Sequence, residues 1–130
     1  MDANTAERLK QVAGRQTLTL THYGRKSGKA YSVTIWFMVD GDRFFLASAD
    51  RRRQWVRNVL VRPEVEMRIA GQLFRGKVRP LEPADREHVL GLAQAKYWWA
   101  LPIMLAGRFL QSIGLLADNT AAFEVDLEAA

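Results

Sequence analysis

Ser32-Val33-Thr34-Ile35-Trp36-Phe37-Met38-Val39-Asp40-Gly41-Asp42-Arg43-Phe44-Phe45-Leu46-Ala47-Ser48 is the stretch that decides the fold. Val33, Ile35, Phe37 and Val39 fall on one face of an extended chain, Trp36 and Met38 on the other. A strand that is apolar on both faces is covered on both, so Ser32 to Val39 belongs centrally in a sheet. Asp40-Gly41-Asp42 then reverses the chain, because glycine adopts positive φ without a steric penalty. Phe44 to Ser48 returns as the next strand.

Working outward from this hairpin, Thr17-Leu18-Thr19-Leu20-Thr21 alternates with period two and predicts a strand with Leu18 and Leu20 on one face. A short helix is expected before it. Ala6, Leu9, Val12 and Ala13 share a face, Asn4 stands as its cap with Glu7 at capping-box spacing, and Gly14 ends it. Downstream, Gln54 to Arg62 reads as a helix with Trp55, Val56, Val59 and Leu60 as its buried stripe, stopped by Pro63. Val65, Met67 and Ile69 alternate with Glu66 and Arg68 in a half-buried strand. Gly71-Gln72 turns the chain, and Leu73 to Arg79 pairs back. Pro83 suits the first turn of a helix running to about Ala100, where Pro102 breaks it. A second apolar helical piece covers Ile103 to Leu116, and Phe123, Val125 and Leu127 alternate with acidic residues in a closing strand. Six strands joined mostly by hairpin-length connections predict an α+β fold: one domain over residues 1–130, an antiparallel six-stranded β-barrel with flanking helices, closed because closure removes exposed edges. The absence of β-α-β alternation excludes a doubly wound nucleotide-binding sheet.

The 130 residues are 48% hydrophobic and 25% charged, which argues for a globular chain and against disorder. Cysteine is absent, which excludes a thiol nucleophile, a disulfide framework and thiolate-held metal. With His22 and His88 the only histidines, no metal site is expected. Met1-Asp2-Ala3-Asn4 shows no basic segment followed by an apolar run, so a cytoplasmic location is expected. The net charge is +5 and the isoelectric point near 10.0. The excess is uneven: residues 1–65 carry 12 basic and 6 acidic side chains, residues 66–130 carry 7 and 8. That asymmetry points to an anionic partner for the first half.

Three stretches bear on chemistry. In Gly24-Arg25-Lys26-Ser27-Gly28-Lys29, small residues let backbone approach a ligand, and three cations and a hydroxyl suit phosphate or carboxylate oxygens. A solvated turn with cations for solubility fits the pattern equally well, and the spacing is not that of a P-loop. In Asp50-Arg51-Arg52-Arg53-Gln54-Trp55, arginines precede a predicted helix, where the macrodipole disfavours each cation by about 0.3–1 kcal/mol at low salt. A bound anion reverses that sign, and Asp50 as N-cap offsets part of the cost. Tyr97-Trp98-Trp99-Ala100-Leu101-Pro102-Ile103-Met104-Leu105 is apolar but too interrupted to span a membrane. It reads as core or as a homodimer contact through Trp98, Trp99 and Phe109. The alternatives are a pocket wall for a flat hydrophobic substrate and a patch in peripheral contact with a membrane. His22 reads as a structural residue on a strand. Ser27 and Ser48 lack evident His/Asp partners, so no serine hydrolase is expected.

Leu20-Thr21-His22-Tyr23-Gly24-Arg25-Lys26-Ser27-Gly28-Lys29, Trp36-Phe37-Met38-Val39-Asp40-Gly41-Asp42-Arg43, Ala47-Ser48 and Trp55-Val56-Arg57-Asn58-Val59-Leu60-Val61-Arg62-Pro63-Glu64-Val65 stand in register from about Leu18 to Pro80. Together they resemble the deazaflavin-dependent nitroreductase/quinone reductase family of the split β-barrel flavin-binding superfamily. The resemblance implies an oxidoreductase that passes hydride from a reduced deazaflavin coenzyme (F420) to a small hydrophobic acceptor: a nitroaromatic, a quinone or an activated alkene. It implies that Arg25, Lys26, Ser27 and Gly28 hold the coenzyme's phosphate and acidic tail. It also implies that Ala47, Ser48 and the segment Asp50, Arg51, Arg52, Arg53, Trp55 and Asn58 line its ring and ribityl side. Ser48, at a family position, and Tyr97, chosen from the apolar stretch, are the candidates for polarising the acceptor. Many family members carry Lys-Gly-Gly and further residues after the serine. Here Ala49-Asp50-Arg51-Arg52-Arg53-Gln54 stands instead. That departure leaves open a coenzyme held differently, FMN on the same fold, or no cofactor, and the apolar patch from Trp98 to Leu105 leaves open a non-catalytic carrier of lipids or quinones. Nucleic acid is not an expected partner, because the aromatics do not interleave with the basic residues as a stacking platform requires.

Overall fold

The computed structural model describes residues 2–48, 50–100 and 121–129. The elements follow in the order α1 (Ala3–Val12), β1 (Thr17–Tyr23), β2 (Ala30–Asp40), β3 (Arg43–Ser48), α2 (Gln54–Val61), β4 (Glu64–Ile69), β5 (Gln72–Pro80), α3 (Pro83–Lys96), a 3-10 turn (Trp98–Ala100) and β6 (Ala121–Leu127). The expected hairpin is β2–β3, with Asp40 paired to Arg43 and Gly41 at φ +62° between them. All strand pairs are antiparallel, and the sheet closes on itself in the order β1-β2-β3-β6-β5-β4.

The two apolar faces of β2 meet two different layers. Ile35 and Phe37 join Leu18, Leu20, Phe44, Leu46, Met67 and their neighbours inside the barrel. Met38 lies outside with Phe45, Val89 and Tyr97, and Trp36 packs against them under α3. Burial inside and outside thus explains why Phe44 and Phe45, successive residues on opposite faces of β3, are both fully buried. The barrel ends are plugged by helices: Leu9 and Val12 from α1, and Trp55, Val56 and Val59 from α2. Arg43 on β3 ties β6 and α3 to the hairpin. It holds the buried Glu124 at 2.7 Å and Asp85 at 3.2 Å, while Arg79 on β5 reaches Glu124 at 3.1 Å.

Several expectations are corrected. Asp2, not Asn4, caps α1, accepting from the Thr5 amide at 2.8 Å. Leu60 is 60% exposed, and the buried position beside it belongs to Asn58. The expected helix over 103–116, Phe109 and the part of the apolar stretch beyond residue 100 lie outside the described residues. Among the described residues no helix is long and apolar enough to cross a membrane.

Candidate functional site

Strand direction decides which loops share an end of the barrel. Successive strands β1, β2 and β3 run up, down and up. The β1–β2 turn, Gly24–Lys29, and the segment leaving β3 therefore emerge at the same end, and α2 covers it. The turn closes on itself. Gly28 N–H donates to Gly24 C=O at 2.8 Å, Gly24 N–H to Lys29 C=O at 2.8 Å, and Lys29 N–H to Ser27 Oγ at 3.1 Å. Gly28 sits at φ +74°, and a Cβ there would stand 3.5 Å from the Arg62 guanidinium. The space would admit a Cβ in ordinary contact, but any other residue would be strained in the left-handed region.

The turn is fastened to α2 by one side chain. Asn58 is fully buried. Its Oδ1 accepts from the Arg25 backbone N–H at 3.2 Å and from Arg25 Nη1 at 2.8 Å, and its amide nitrogen meets His22 Nδ1 at 3.0 Å. Because β1 is followed directly by the turn, His22 reaches the same helix from the strand. Burial lowers the His22 pKa below its usual value. Sequence reasoning named Arg25 and Asn58 but left His22 as a structural residue and did not single out Arg62. The missed signal was a polar pair on faces that should have been wholly apolar.

The arginine segment is organised differently from its expectation. Arg53 occupies the N-cap of α2 and makes no side-chain capping bond. Asp50 instead accepts from the Arg52 amide at 2.9 Å and pairs with its guanidinium at 3.0 Å through both Nε and Nη2. That pairing holds the Asp50 carboxyl below its usual range. Arg52 thus already has an anion. The Ser48 hydroxyl donates to Asp50 C=O at 2.9 Å and accepts its N–H at 3.1 Å, bracing this segment. Ala47 packs outside the barrel with the α3 cluster. Trp55 is a core residue, edge-on to Phe123 at 5.8 Å, and its indole N–H has no partner among the described residues. Among the described residues no hydrogen bond joins the turn to the arginines. The two cationic segments flank α2, whose eight residues span about 12 Å.

Tyr97 is displaced from its expected role. It is fully buried and stacks on Trp36 at 4.0 Å. Its hydroxyl lies among Gln16 C=O, Phe37 C=O at 3.1 Å and Phe37 N–H at 3.3 Å. Gln16 precedes β1, so this hydroxyl sits a strand's length, about 20 Å, from the turn that follows β1. It braces α3 to the barrel.

Beside it, Lys96 donates to Phe37 C=O at 2.9 Å and Ala13 C=O at 3.3 Å. Its ammonium lies 3.6 Å from the Phe37 ring centre. Burial brings the Lys96 pKa down from 10.5 to about 8. The unfolded chain keeps that proton to higher pH than the folded chain, so folding is penalised below pH 8 and relieved as pH rises towards 10. The thermal midpoint of the native protein, measured against Lys96→Met, is expected to rise between pH 8 and pH 10. A difference independent of pH contradicts this.

Two surface hollows, of about 500 Å³ beside Gly14–Thr17 and Ala70 and about 230 Å³ beside Arg43 and Glu124, lie away from the turn. The turn itself fits the anionic part of a coenzyme by its donors. The Arg25 guanidinium makes one bond among the described residues, through Nη1, Lys26 and Lys29 are exposed, and the Arg62 guanidinium stands beside Gly28.

The profile of the family described as F420H(2)-dependent quinone reductase matches residues 1–100. No curated protein sequence matches the chain significantly. Among solved structures, an F420-H2 dependent reductase (FDR-A) superposes with a TM-score of 0.65 at 22% identity, covering 86% of this chain and 95% of that one. A domain-swapped dimer superposes at 0.66 and 21%, covering 95% and 94%. A heme binding protein from Mycobacterium smegmatis superposes at 0.71 and 11%, covering 98% and 53%. At such identities these neighbours show the fold, a split barrel.

Proposed function

The chain belongs to the F420H(2)-dependent quinone reductase family, and from that premise we propose that it passes hydride from reduced F420 to a small apolar acceptor, a quinone, nitroaromatic or activated alkene. The observation that carries the reading is the docking of the cationic Arg25 turn on Asn58, inside the segment that the family profile matches. When bound, the reduced deazaflavin supplies the hydride; the protein's part is to bind, orient and shield. Arg25, Lys26, Lys29 and Arg62 offer guanidinium and ammonium donors to phosphate and carboxylate oxygens. Asn58 and His22 fix the direction from which Arg25 does so. Arg52 contributes only by exchanging Asp50 for a ligand oxygen, which makes the arginine segment the adjustable half of the grip.

A cytoplasmic location and a homodimer belong to the same reading. The second is supported by the domain-swapped dimer among the structural neighbours and by Trp98 and Trp99, 70% and 52% exposed. The activity is tested by mixing the protein with reduced F420 and a naphthoquinone and following the return of oxidised deazaflavin absorbance. The expected rate is proportional to protein and saturates with quinone. A rate equal to the protein-free control overturns the reading.

A further inference from the structure

The His22–Asn58–Arg25 cluster has a polarity that binding alone does not call for. Asn58 Oδ1 faces two donors, the Arg25 amide and Nη1, and neither of these can accept. The orientation of the side-chain amide is therefore fixed, and its NH2 is what meets His22 Nδ1 at 3.0 Å. Nδ1 must accept, so it carries no hydrogen and His22 is the neutral Nε2–H tautomer. A proton on Nδ1 sets N–H against N–H. Turning the Asn58 amide over relieves that contact, but it then presents NH2 to the backbone N–H and guanidinium of Arg25. Either way the turn loses its attachment to α2.

The surroundings leave this switch to His22. Tyr31 of β2 stacks on its ring at 5.8 Å, with the Lys29 ammonium 5.9 Å from the Tyr31 ring centre. On β4, Glu66 faces the preceding Thr21 and is engaged by Arg75 at 3.0 Å. Arg25 in the turn bonds the same Asn58 that meets His22, and Arg62, just after α2, stands beside Gly28. Burial lowers the His22 pKa.

We propose that His22 is a positioning residue that gates the anion site: neutral His22 holds Asn58 in the orientation that docks the Arg25 turn, and protonated His22 releases it. The inference rests on the reading of that turn as the holder of the F420 tail.

Oxidised F420 is titrated by fluorescence against the native protein and His22→Asn from pH 8 down to the lowest pH at which both stay folded. Asparagine places an oxygen near the Nδ1 position that accepts from Asn58 and does not titrate. The ratio of the two affinities cancels any titration of the coenzyme. The native protein is expected to weaken relative to His22→Asn by about tenfold for each pH unit below the point where His22 gains its proton, as the competent fraction falls. In parallel, without coenzyme, the nitrogen shifts of the Arg25 amide and the Asn58 side-chain amide are followed with pH. They are expected to move together below pH 6.5 in the native protein. A pH-independent affinity ratio with F420 bound overturns the gate and leaves the family reading standing. Absence of F420 binding at every pH overturns the family reading instead, and the amide shifts then decide the gate: co-titration supports it and unresponsive amides refute it. The shifts of the native protein also decide it if His22→Asn fails to fold.

Discussion

Asn58→Leu is expected to destabilise the protein by about 2–4 kcal/mol and to weaken F420 binding by an order of magnitude or more. Leucine nearly preserves the volume, so little cavity is created, and the cost is electrostatic. It strands His22 Nδ1, in a residue only 2% exposed, and the Arg25 backbone N–H, which now donates to Asn58 at 3.2 Å. Each buried polar group left unpaired costs about 1–3 kcal/mol. For a chain of this length that corresponds to a fall in thermal midpoint of roughly 10 °C. A melt displaced by less than 2 °C shows that Asn58 does not hold the turn. The binding loss follows from the same bonds, since Arg25 would sample orientations that face no ligand.

Arg25→Glu carries the second large effect. One charge-assisted bond to a phosphate or carboxylate contributes about 1.5–3 kcal/mol, and a glutamate in the same place adds repulsion from both the ligand and Asn58 Oδ1. Affinity for F420 is expected to drop roughly 100-fold at low salt. The native protein should weaken as salt is raised, and the variant should respond less, having lost one of the cations that salt screens. Arg25→Lys keeps the charge but not the planar fork that bonds Asn58 and ligand together, and falls between the two. A change below threefold for Arg25→Glu removes this residue from the grip.

The hairpin at the centre of the fold was legible because Phe37 and Met38 need cover on opposite faces, and only a strand buried twice gives them that. The β3–β6 pairing was not, since nothing local in Phe44–Leu46 indicates a partner about 80 residues on. The site was half legible. Arg25 and Asn58 stand in recognisable strings, but their contact spans 33 residues. The acceptor role of His22 Nδ1 exists only once an amide fixed from the other side faces it. Asp50 misled because an aspartate before a helix can cap it or bond the amide two residues on; with Arg52 there, the local turn wins. Tyr97 misled because an apolar run at the end of a helix looks alike whether it lines a pocket or fills a gap. The Tyr97 ring stacks on Trp36 and its hydroxyl meets two backbone carbonyls.

The claim on which the functional account stands is that this end of the barrel grips the charged tail of the coenzyme rather than its ring. Fluorescence titration of the oxidised coenzyme against the wild-type chain at pH 7.5, beside the same deazaflavin chromophore stripped of phosphate and carboxylates, tests it directly. The account predicts saturable micromolar binding of the whole coenzyme and at least tenfold weaker binding of the stripped chromophore. Equal affinity for the two, or no saturation with either, contradicts it.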